Sequence, residues 1–211
     1  NIFLQNDGFL DKELSPIENI PINERPICQN WSWDRILRSA YIKQADVLQG
    51  LYFFEEHFDK EIIKENIDFY FPLTVHESSL SPCVHSILFS SINNIDKAFE
   101  MYLRTSRLDL DDYNNEVDEG LHITSMAGSW LSIVEGFAGV RIKDDGIFIS
   151  PIIPKKWRSY NFKMYYNNEI IEFLVTNDQV NVTNNSCNNL NLYVDDNKYI
   201  LNEKSKKVID L

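Results

Sequence analysis

The sequence predicts an α+β protein in which helices come first and a small antiparallel β domain follows. Through most of the first 143 residues, apolar side chains recur at the three-to-four-residue spacing of a helix. After Gly146 the chain changes to short runs rich in β-branched and aromatic residues. We therefore predict a helical part over residues 1–145 and an antiparallel β-sandwich or sheet over residues 146–211.

The helical part begins with a segment that the sequence predicts to be irregular. Three prolines lie within residues 1–30 and interrupt any regular element. Residues 31–71 then have a helical pattern, with one apolar face formed by Val47, Leu51, Phe54 and Phe58. We expect Asp59 to be the N-cap of a second helix in this range and Pro72 to end it. A further helix is predicted from about Asn94.

The stretch TVHESSLSPCVHSILFSSI, residues 74–92, runs from a polar cluster directly into an apolar helix. Pro82 suits the first helical turn, so Ser81 is the predicted N-cap. Together with Ser78 and Ser79, this residue would place three hydroxyl groups at the start of the helix.

The stretch GLHITSMAGSWLSIVEGF, residues 120–137, repeats this arrangement. His122, Thr124 and Ser125 lie where the next helix is predicted to begin. Gly128, on the same helix, would allow a close approach to neighbouring helices.

Both stretches place polar side chains at a helix N-terminus, where unpaired backbone N–H groups attract anions. If the two ends face one point, they form a phosphate or sulfate site that needs no glycine-rich phosphate loop. The alternative from the pattern alone is two ordinary capped helices.

A third polar group precedes the apolar run in YIKQADVLQGLYF. Lys43 and Gln44 carry an ammonium and an amide group, which can bond sugar hydroxyls or a phosphate. The alternative is a solvated start of a helix.

The second part of the chain predicts six or seven short strands. The runs are GIFISPIIP, YNFKMYY, EIIEFLVT, QVNVTN, LNLYVDD, KYILN and KKVID. Pairs of Asn and Asp separate several of them and are typical of hairpin turns, among them Asn167-Asn168 and Asp195-Asp196.

The charge is strongly negative and unevenly distributed. The net charge is −12, with 12 Lys and Arg against 25 Asp and Glu in residues 1–150, and 8 against 7 in residues 151–211. This balance argues against nucleic acids and anionic membranes as partners.

The cysteines and acidic residues show no metal or disulfide pattern. Cys28, Cys83 and Cys187 have no framework spacing, which predicts free thiols and a cytoplasmic location. No Cys and His set has zinc spacing, so we predict no metal site. The stretch DLDDYNNEVDE, residues 109–119, lacks the glycine of a calcium loop and is interpreted as a solvated acidic loop.

Three motifs together resemble the C-terminal part of the catalytic region of glycoside hydrolase family 65. They are KQADVLQGLYF, TVHESSLSPCVHSILF and DEGLHITSMAGSWLSIVEGFAGVR. The run GIFISPIIPKKWRSYNFKMYY resembles the start of the C-terminal β domain of that family. The resemblance covers roughly residues 30–175 and implies that the helices are the last ones of an (α/α)6 barrel.

The resemblance also implies an inverting disaccharide phosphorylase. In this reaction phosphate attacks the anomeric carbon of an α-glucoside, a glutamic acid protonates the leaving oxygen, and β-glucose 1-phosphate is released. The implied partners are a disaccharide α-glucoside and inorganic phosphate, which is a co-substrate, with no other cofactor. The full-length protein is expected to form a homodimer.

Individual residues match the motifs of the family. The pair that holds the glucosyl unit corresponds to Lys43 and Gln44. The phosphate-site residues correspond to Ser78, Ser79, His122, Thr124 and Ser125.

One part of the family pattern has no counterpart here. Nothing matches the segment that carries the general acid, so we expect a C-terminal fragment that is inactive alone. Two alternatives remain at this point. One is a family 65 glycosidase that uses water, for which Glu77 is the only nearby candidate base, and the other is a non-catalytic carbohydrate-binding or interaction module.

Overall fold

The computed structural model describes all 211 residues and is α+β, as predicted. It divides into two compact units, Asn1–Ser132 and Ile133–Leu211. The first unit contains the α-helices, and the second contains all of the strands. None of the helices combines the length and the apolar character needed to span a membrane.

The first unit contains eight α-helices linked by short turns and 3-10 helices. They are α1 (Ile27–Asn30), α2 (Trp33–Arg38), α3 (Val47–Phe53), α4 (Lys60–Tyr70), α5 (Ser81–Ser91), α6 (Ile95–Ser106), α7 (Leu108–Asp111) and α8 (Ile123–Leu131).

Helix α5 is the centre of this unit. It contacts α3, α4, α6 and α8, and residues 81–90 are all buried. The helix can be buried on every side because it carries no Asp, Glu, Lys or Arg, and three of its serines, Ser86, Ser90 and Ser91, donate to main-chain oxygens. The Ser86 hydroxyl, for example, donates to the Ala98 carbonyl at 2.9 Å.

The N-terminal segment is irregular, as predicted, and it is held against α4. The Asn66 amide nitrogen donates to the Asn1 carbonyl at 2.9 Å, and its oxygen accepts from the Phe3 N–H at 2.9 Å. The Tyr70 hydroxyl donates to the Phe3 carbonyl at 2.6 Å and accepts from the Gln5 N–H at 2.9 Å. These bonds satisfy main-chain groups of a segment that forms no sheet.

Two helix predictions in this unit were wrong in their limits. Residues 39–46 are not helical, because Ile42 forms a parallel bridge with Thr74 instead. The apolar face formed by Val47, Leu51, Phe54 and Phe58 suggested a longer helix, but these residues span only α3 and the turn after it. Helix α5 begins at Ser81 rather than after it, so that Leu80 is the N-cap.

The second unit contains eight strands in two four-stranded sheets, ordered β1-β2-β6-β7 and β3-β4-β5-β8. The strands are β1 (Arg141–Lys143), β2 (Gly146–Ile149), β3 (Ser159–Tyr166), β4 (Glu169–Thr176), β5 (Gln179–Asn184), β6 (Leu190–Val194), β7 (Asn197–Leu201) and β8 (Ser205–Asp210). All seven predicted strands are present.

Two features of this unit differ from the prediction. Strand β1 was missed, because its three residues are too few to show a period of two. The pairing is antiparallel except between β2 and β6, which are parallel. This pair joins strands about forty residues apart, for which the local sequence carries no signal.

The boundary between the two units, after Ser132, comes before Gly146, where the sequence changes from a helical to a strand pattern. A π-helical turn, Ser132–Phe137, follows α8 and still has a helical appearance. Phe137 nevertheless belongs to the second unit, because its carbonyl accepts from the Tyr160 hydroxyl at 2.9 Å and its ring contacts Trp157.

Candidate functional site

The segment that carries Ser78 and Ser79 is fixed by main-chain pairing with the segment that carries Lys43 and Gln44. The Val75 N–H donates to the Ile42 carbonyl at 2.9 Å, and the Glu77 N–H donates to the Lys43 carbonyl at 3.1 Å. The two polar sequences, which lie about 35 positions apart, are therefore neighbours in space.

Glu77 anchors this segment on its other side. Its carboxylate is buried and accepts from the N–H groups of Ile27 at 2.6 Å and Cys28 at 2.8 Å, at the start of α1. Burial and then this carboxylate raise the pKa of the Cys28 thiol to about 11. Because both Glu77 oxygens hold backbone N–H groups, the carboxylate is a structural anchor.

His76 and His85 form a buried pair beside the same segment. Their ring centroids lie 4.6 Å apart, and each ring contacts an atom of Ser81. Burial, the adjacent His85 and Arg104 lower the pKa of His76 well below its ordinary value, and burial lowers the pKa of His85 to about 4. The Ser81 hydroxyl also accepts from the Ala45 N–H at 3.1 Å. The prediction that Ser81 adds a free hydroxyl to the helix end is therefore wrong, because this hydroxyl is bonded within the protein.

Ser78 and Gln44 are in direct contact. The Ser78 hydroxyl donates to the Gln44 side-chain oxygen at 2.8 Å. Lys43 and Gln44 are both exposed, whereas Ser78 and Ser79 are half-buried. The candidate sugar-binding pair thus lies beside the serine pair.

The beginning of α8 meets the beginning of α5 at one point. The hydroxyl oxygens of Ser79 and Thr124 are 2.5 Å apart. Gly128 makes this approach possible, because a Cβ atom there would lie 2.8 Å from the Cβ of Cys83 on α5 and 3.1 Å from Thr105 on α6. The sequence placed these stretches 45 residues apart, and the fold brings them together.

Ser125 does not face this meeting point. Its side chain is buried and its hydroxyl donates to the Thr105 carbonyl at 2.7 Å. Its N–H donates to the His122 carbonyl at 2.9 Å. Because both donors are used within the protein, we exclude Ser125 from the anion-facing set that the sequence suggested.

His122 is held by carboxylates. Asp109 accepts from the His122 N–H at 3.0 Å and contacts ring atom Nδ1 at 2.5 Å, while Nε2 lies 3.8 Å from a Glu116 oxygen. The hydrogen bonds from His122 lower the pKa of Asp109 below its ordinary value. The sequence groups His122 with the anion-facing residues, whereas the structure holds its ring against two carboxylates. Since Nδ1 is committed to Asp109, Nε2 is the ring position left for a ligand.

The sequence analysis missed the roles of Asp109 and Glu116, because it interpreted residues 109–119 as a solvated loop. Asp109 and Glu116 have side chains that are only 15% and 17% exposed. A carboxylate commonly orients an imidazole by bonding one of its ring nitrogens, so the acidic residues just before His122 were candidates for this role. The sequence does not give the fold that makes these two residues adjacent.

The residues at the junction of α5 and α8 supply hydrogen-bond donors that suit an anion. No group of three or more His, Cys, Asp or Glu residues is placed to hold a metal ion. The hydroxyls of Ser79 and Thr124, the start of α8 and the imidazole Nε2 can instead donate hydrogen bonds. An adjacent amide and ammonium, from Gln44 and Lys43, can bond a polyhydroxylated ligand.

Comparison with known proteins extends these observations. Residues 1–131 match the glycosyl hydrolase family 65 central catalytic domain, and residues 140–201 match the C-terminal domain of that family. The chain is 53% identical over 179 residues to the maltose phosphorylase of Bacillus subtilis, covering 85% of this chain and 24% of that protein. It is 35% identical over 204 residues to the kojibiose phosphorylase of Halothermothrix orenii, covering 97% of this chain and 25% of that protein.

A solved structure is similar over the whole chain. It comes from the human microbiome and is described as a kojibiose phosphorylase. The TM-score is 0.91 at 41% identity, covering 100% of this chain and 28% of that one. The chain spans about a quarter of the length of the curated relatives it matches. With both of its units matched by domains of one family, the chain belongs to glycosyl hydrolase family 65.

Proposed function

We propose that this chain is the phosphate-binding part, and contributes to the sugar-binding part, of an inverting α-glucoside phosphorylase. The relatives named above are phosphorylases of disaccharides, which supports this reaction class. An oxygen of inorganic phosphate attacks the anomeric carbon while the bond from that carbon to the leaving sugar breaks. A general acid protonates the leaving oxygen, and β-glucose 1-phosphate forms.

The observation that carries the proposal is the contact between Ser79 and Thr124. It joins the stretches that begin two helices, and the start of α8 presents first-turn N–H groups and the positive end of its dipole. The phosphate lies at this junction. The Ser79 and Thr124 hydroxyls bond each other, which leaves one O–H of the pair for the phosphate, and the Ser78 hydroxyl, which donates to Gln44 here, turns to the phosphate on binding. His122 donates from Nε2, because Asp109 holds its other ring nitrogen.

Lys43 and Gln44 bind the glucosyl unit beside the phosphate. Their exposure and the contact of Gln44 with Ser78 place a polar edge next to the serine pair. Sugar hydroxyls are bonded well by such ammonium and amide groups. Inorganic phosphate is the co-substrate in this reaction, and we propose no further cofactor.

The general acid lies in another part of the enzyme, so we propose that this chain alone catalyses no phosphorolysis. A general acid typically contributes about 10²–10⁴-fold to the rate. The chain spans about a quarter of the length of these relatives, which supports this proposal. Homodimerisation and a cytoplasmic location remain predictions.

A water-using glycosidase is the alternative within the family, and the position of Glu77 counts against it. That reaction needs a carboxylate able to take a proton from water. Glu77 is buried, and both of its oxygens accept backbone N–H groups. Asp109 bonds His122 through both oxygens, so Glu116, 3.8 Å from Nε2 of His122, is the carboxylate that this alternative would have to use.

The proposal is tested by steady-state kinetics of the enzyme that contains this chain, with phosphate and maltose varied separately. We expect His122→Ala to raise the phosphate KM by about 10- to 100-fold, since a charge-assisted hydrogen bond is worth roughly 1.5–3 kcal/mol. Ser79→Ala should have a smaller effect, about 0.5–1.5 kcal/mol, and Lys43→Ala should mainly raise the maltose KM.

Ser129→Ala is the matched control, because this serine lies on α8 but its hydroxyl donates to the Ser125 carbonyl. It should leave both KM values unchanged. If the products form at the same rate without phosphate, the enzyme is a glycosidase. If no sugar is cleaved under any condition, the non-catalytic binding module becomes the better account.

A further inference from the structure

The helical unit contains a cavity whose lining includes none of the residues at the junction of α5 and α8. It has a volume of about 360 Å³ and lies among residues 17–27, the segment 75–77 and the loop 113–115. Isoleucine side chains form much of the lining, and Arg104 and Asn114 contribute polar groups to it. This size is at the lower end of the range for small-molecule sites, about 300–1,000 Å³.

Arg104 is largely removed from solvent and is short of hydrogen-bond partners. Its Nη2 atom donates to the carbonyls of Val75 at 3.5 Å and His76 at 3.4 Å, both of which are long bonds. Its Nε atom is buried and has no hydrogen-bond partner. Burial lowers the pKa of this guanidinium, which reflects the cost of keeping its charge away from water.

The other charged groups of the wall are already bonded to the main chain. Arg25 donates to the carbonyls of Ile17, Glu18 and Ile20, and the Glu77 carboxylate holds two N–H groups of α1. Glu77 and Glu100 act on Arg104 through space, and the guanidinium carbon lies 5.2 Å from the centre of the Tyr113 ring. The wall therefore carries two guanidinium groups against one carboxylate.

This excess of positive charge is unusual for the chain, whose net charge is −12. A buried cation with an unpaired donor is stabilised best by an anion that bonds to it. The isoleucines of the lining would favour a ligand that also has a hydrocarbon body.

We propose that this cavity binds a small organic anion, whose carboxylate or phosphate group bonds to Arg104. The side-chain oxygen of Asn114 can accept from a hydroxyl of the ligand, because its nitrogen donates to Glu116 at 3.4 Å. The isoleucines contact the carbon skeleton of the ligand. The ligand lies against Val75 and Glu77, directly before Ser78 and Ser79, so its binding stabilises the segment that carries the serine pair. The lining of this cavity shares no residue with the proposed phosphate site, and the proposal does not rest on that site.

Two measurements on the purified protein test the proposal. The probes are lactate for a carboxylate, glycerol 1-phosphate for a phosphate and glycerol as the neutral counterpart, each against sodium chloride at equal ionic strength. The first measurement is the NMR signal of the Arg104 Nε–H, and the second is the midpoint of thermal unfolding. Arg104→Gln is the test variant, and Arg107→Gln is the matched control, because that arginine lies one turn later and pairs with Asp111 on the surface.

We expect at least one of the two anions to shift the Arg104 signal saturably and to raise the unfolding midpoint. Which anion does so identifies the head group. Arg104→Gln should weaken this binding by about 10- to 100-fold, and Arg107→Gln should not change it. The NMR arm uses the unmodified protein, so it decides the question even if Arg104→Gln does not fold.

Three results would overturn the proposal. One is an Arg104 signal that neither anion shifts beyond the sodium chloride control. Another is equal binding by Arg104→Gln. The third is stabilisation by the anions that disappears in Ser79→Ala but persists in Arg104→Gln, which would place the anion at the junction of α5 and α8.

Discussion

Asp109 orients His122, and its replacement by asparagine tests this role without a large change in shape. The carboxylate accepts two donors of the same residue, the backbone N–H at 3.0 Å and the ring Nδ1 at 2.5 Å. An asparagine has one acceptor oxygen, so its amide nitrogen would face one of these donors. The variant therefore removes one bond and the negative charge together.

The expected magnitude follows from the bond that is lost. A hydrogen bond to a charged group contributes about 1.5–3 kcal/mol, which corresponds to about 10- to 100-fold in an equilibrium constant. If His122 bonds the phosphate, a misoriented ring should raise the phosphate KM by up to this factor. The KM for the disaccharide should change much less, because Lys43 and Gln44 are not touched.

The assay is phosphorolysis of maltose by the enzyme that contains this chain, with each substrate varied in turn. Asp111→Asn is the control, because Asp111 lies on the same short helix but pairs with Arg107 and Tyr113. An Asp109→Asn enzyme with an unchanged phosphate KM would refute the reasoning. So would an equal loss in both variants, which would indicate only a damaged loop.

Three further predictions concern stability. Gly128→Ala should destabilise the protein by about 1–3 kcal/mol in urea unfolding because its Cβ would overlap α5, whereas Gly50→Ala, with nothing within 4 Å, should not destabilise it. Burial lowers the pKa of His85 from 6.5 to about 4, so between these pH values the unfolded chain binds more protons than the folded one. The free energy of unfolding should therefore fall as the pH drops from about 6.5 to 4. In thermal unfolding scans His85→Gln should flatten this pH dependence, and an unchanged slope would contradict the prediction. Gly146→Ala should lower stability by at least about 2 kcal/mol, since its Cβ would lie 2.4 Å from the Asn191 carbonyl oxygen at a φ of +148°, and a thermal midpoint within a degree of the parent would count against this.

Local sequence patterns predicted much of the fold, because the elements concerned depend on local physics. Asp59 and Asn94 are the residues before α4 and α6, as expected of N-cap residues. The pairs Asn167-Asn168 and Asp195-Asp196 adopt positive φ at all four positions, as tight hairpin turns require. These features depend on neighbours within a few residues.

Long-range contacts could not be predicted in the same way. Glu77 bonds Ile27 and Cys28 about fifty residues earlier, and nothing in its own stretch indicates this partner. The sequence analysis therefore kept Glu77 open as a candidate base, and the fold shows it to be an anchor.

The candidate site was predicted in part for the same reason. Polar groups at helix starts are a local pattern, and the meeting of Ser79 with Thr124 agrees with the expectation that the two stretches approach each other. The direction of individual side chains is not local. Ser125 turns inward to Thr105, and His122 turns to a carboxylate thirteen residues earlier.

The central claim is that phosphate binds where the starts of α5 and α8 meet. The most direct measurement is a crystal structure of the enzyme that contains this chain, grown with phosphate and glucose. We predict phosphate density within hydrogen-bond distance of the Ser79 and Thr124 hydroxyls, with Nε2 of His122 turned toward it and glucose near Lys43 and Gln44. Phosphate bound elsewhere, with only solvent in contact with the Ser79 and Thr124 hydroxyls, would contradict the claim.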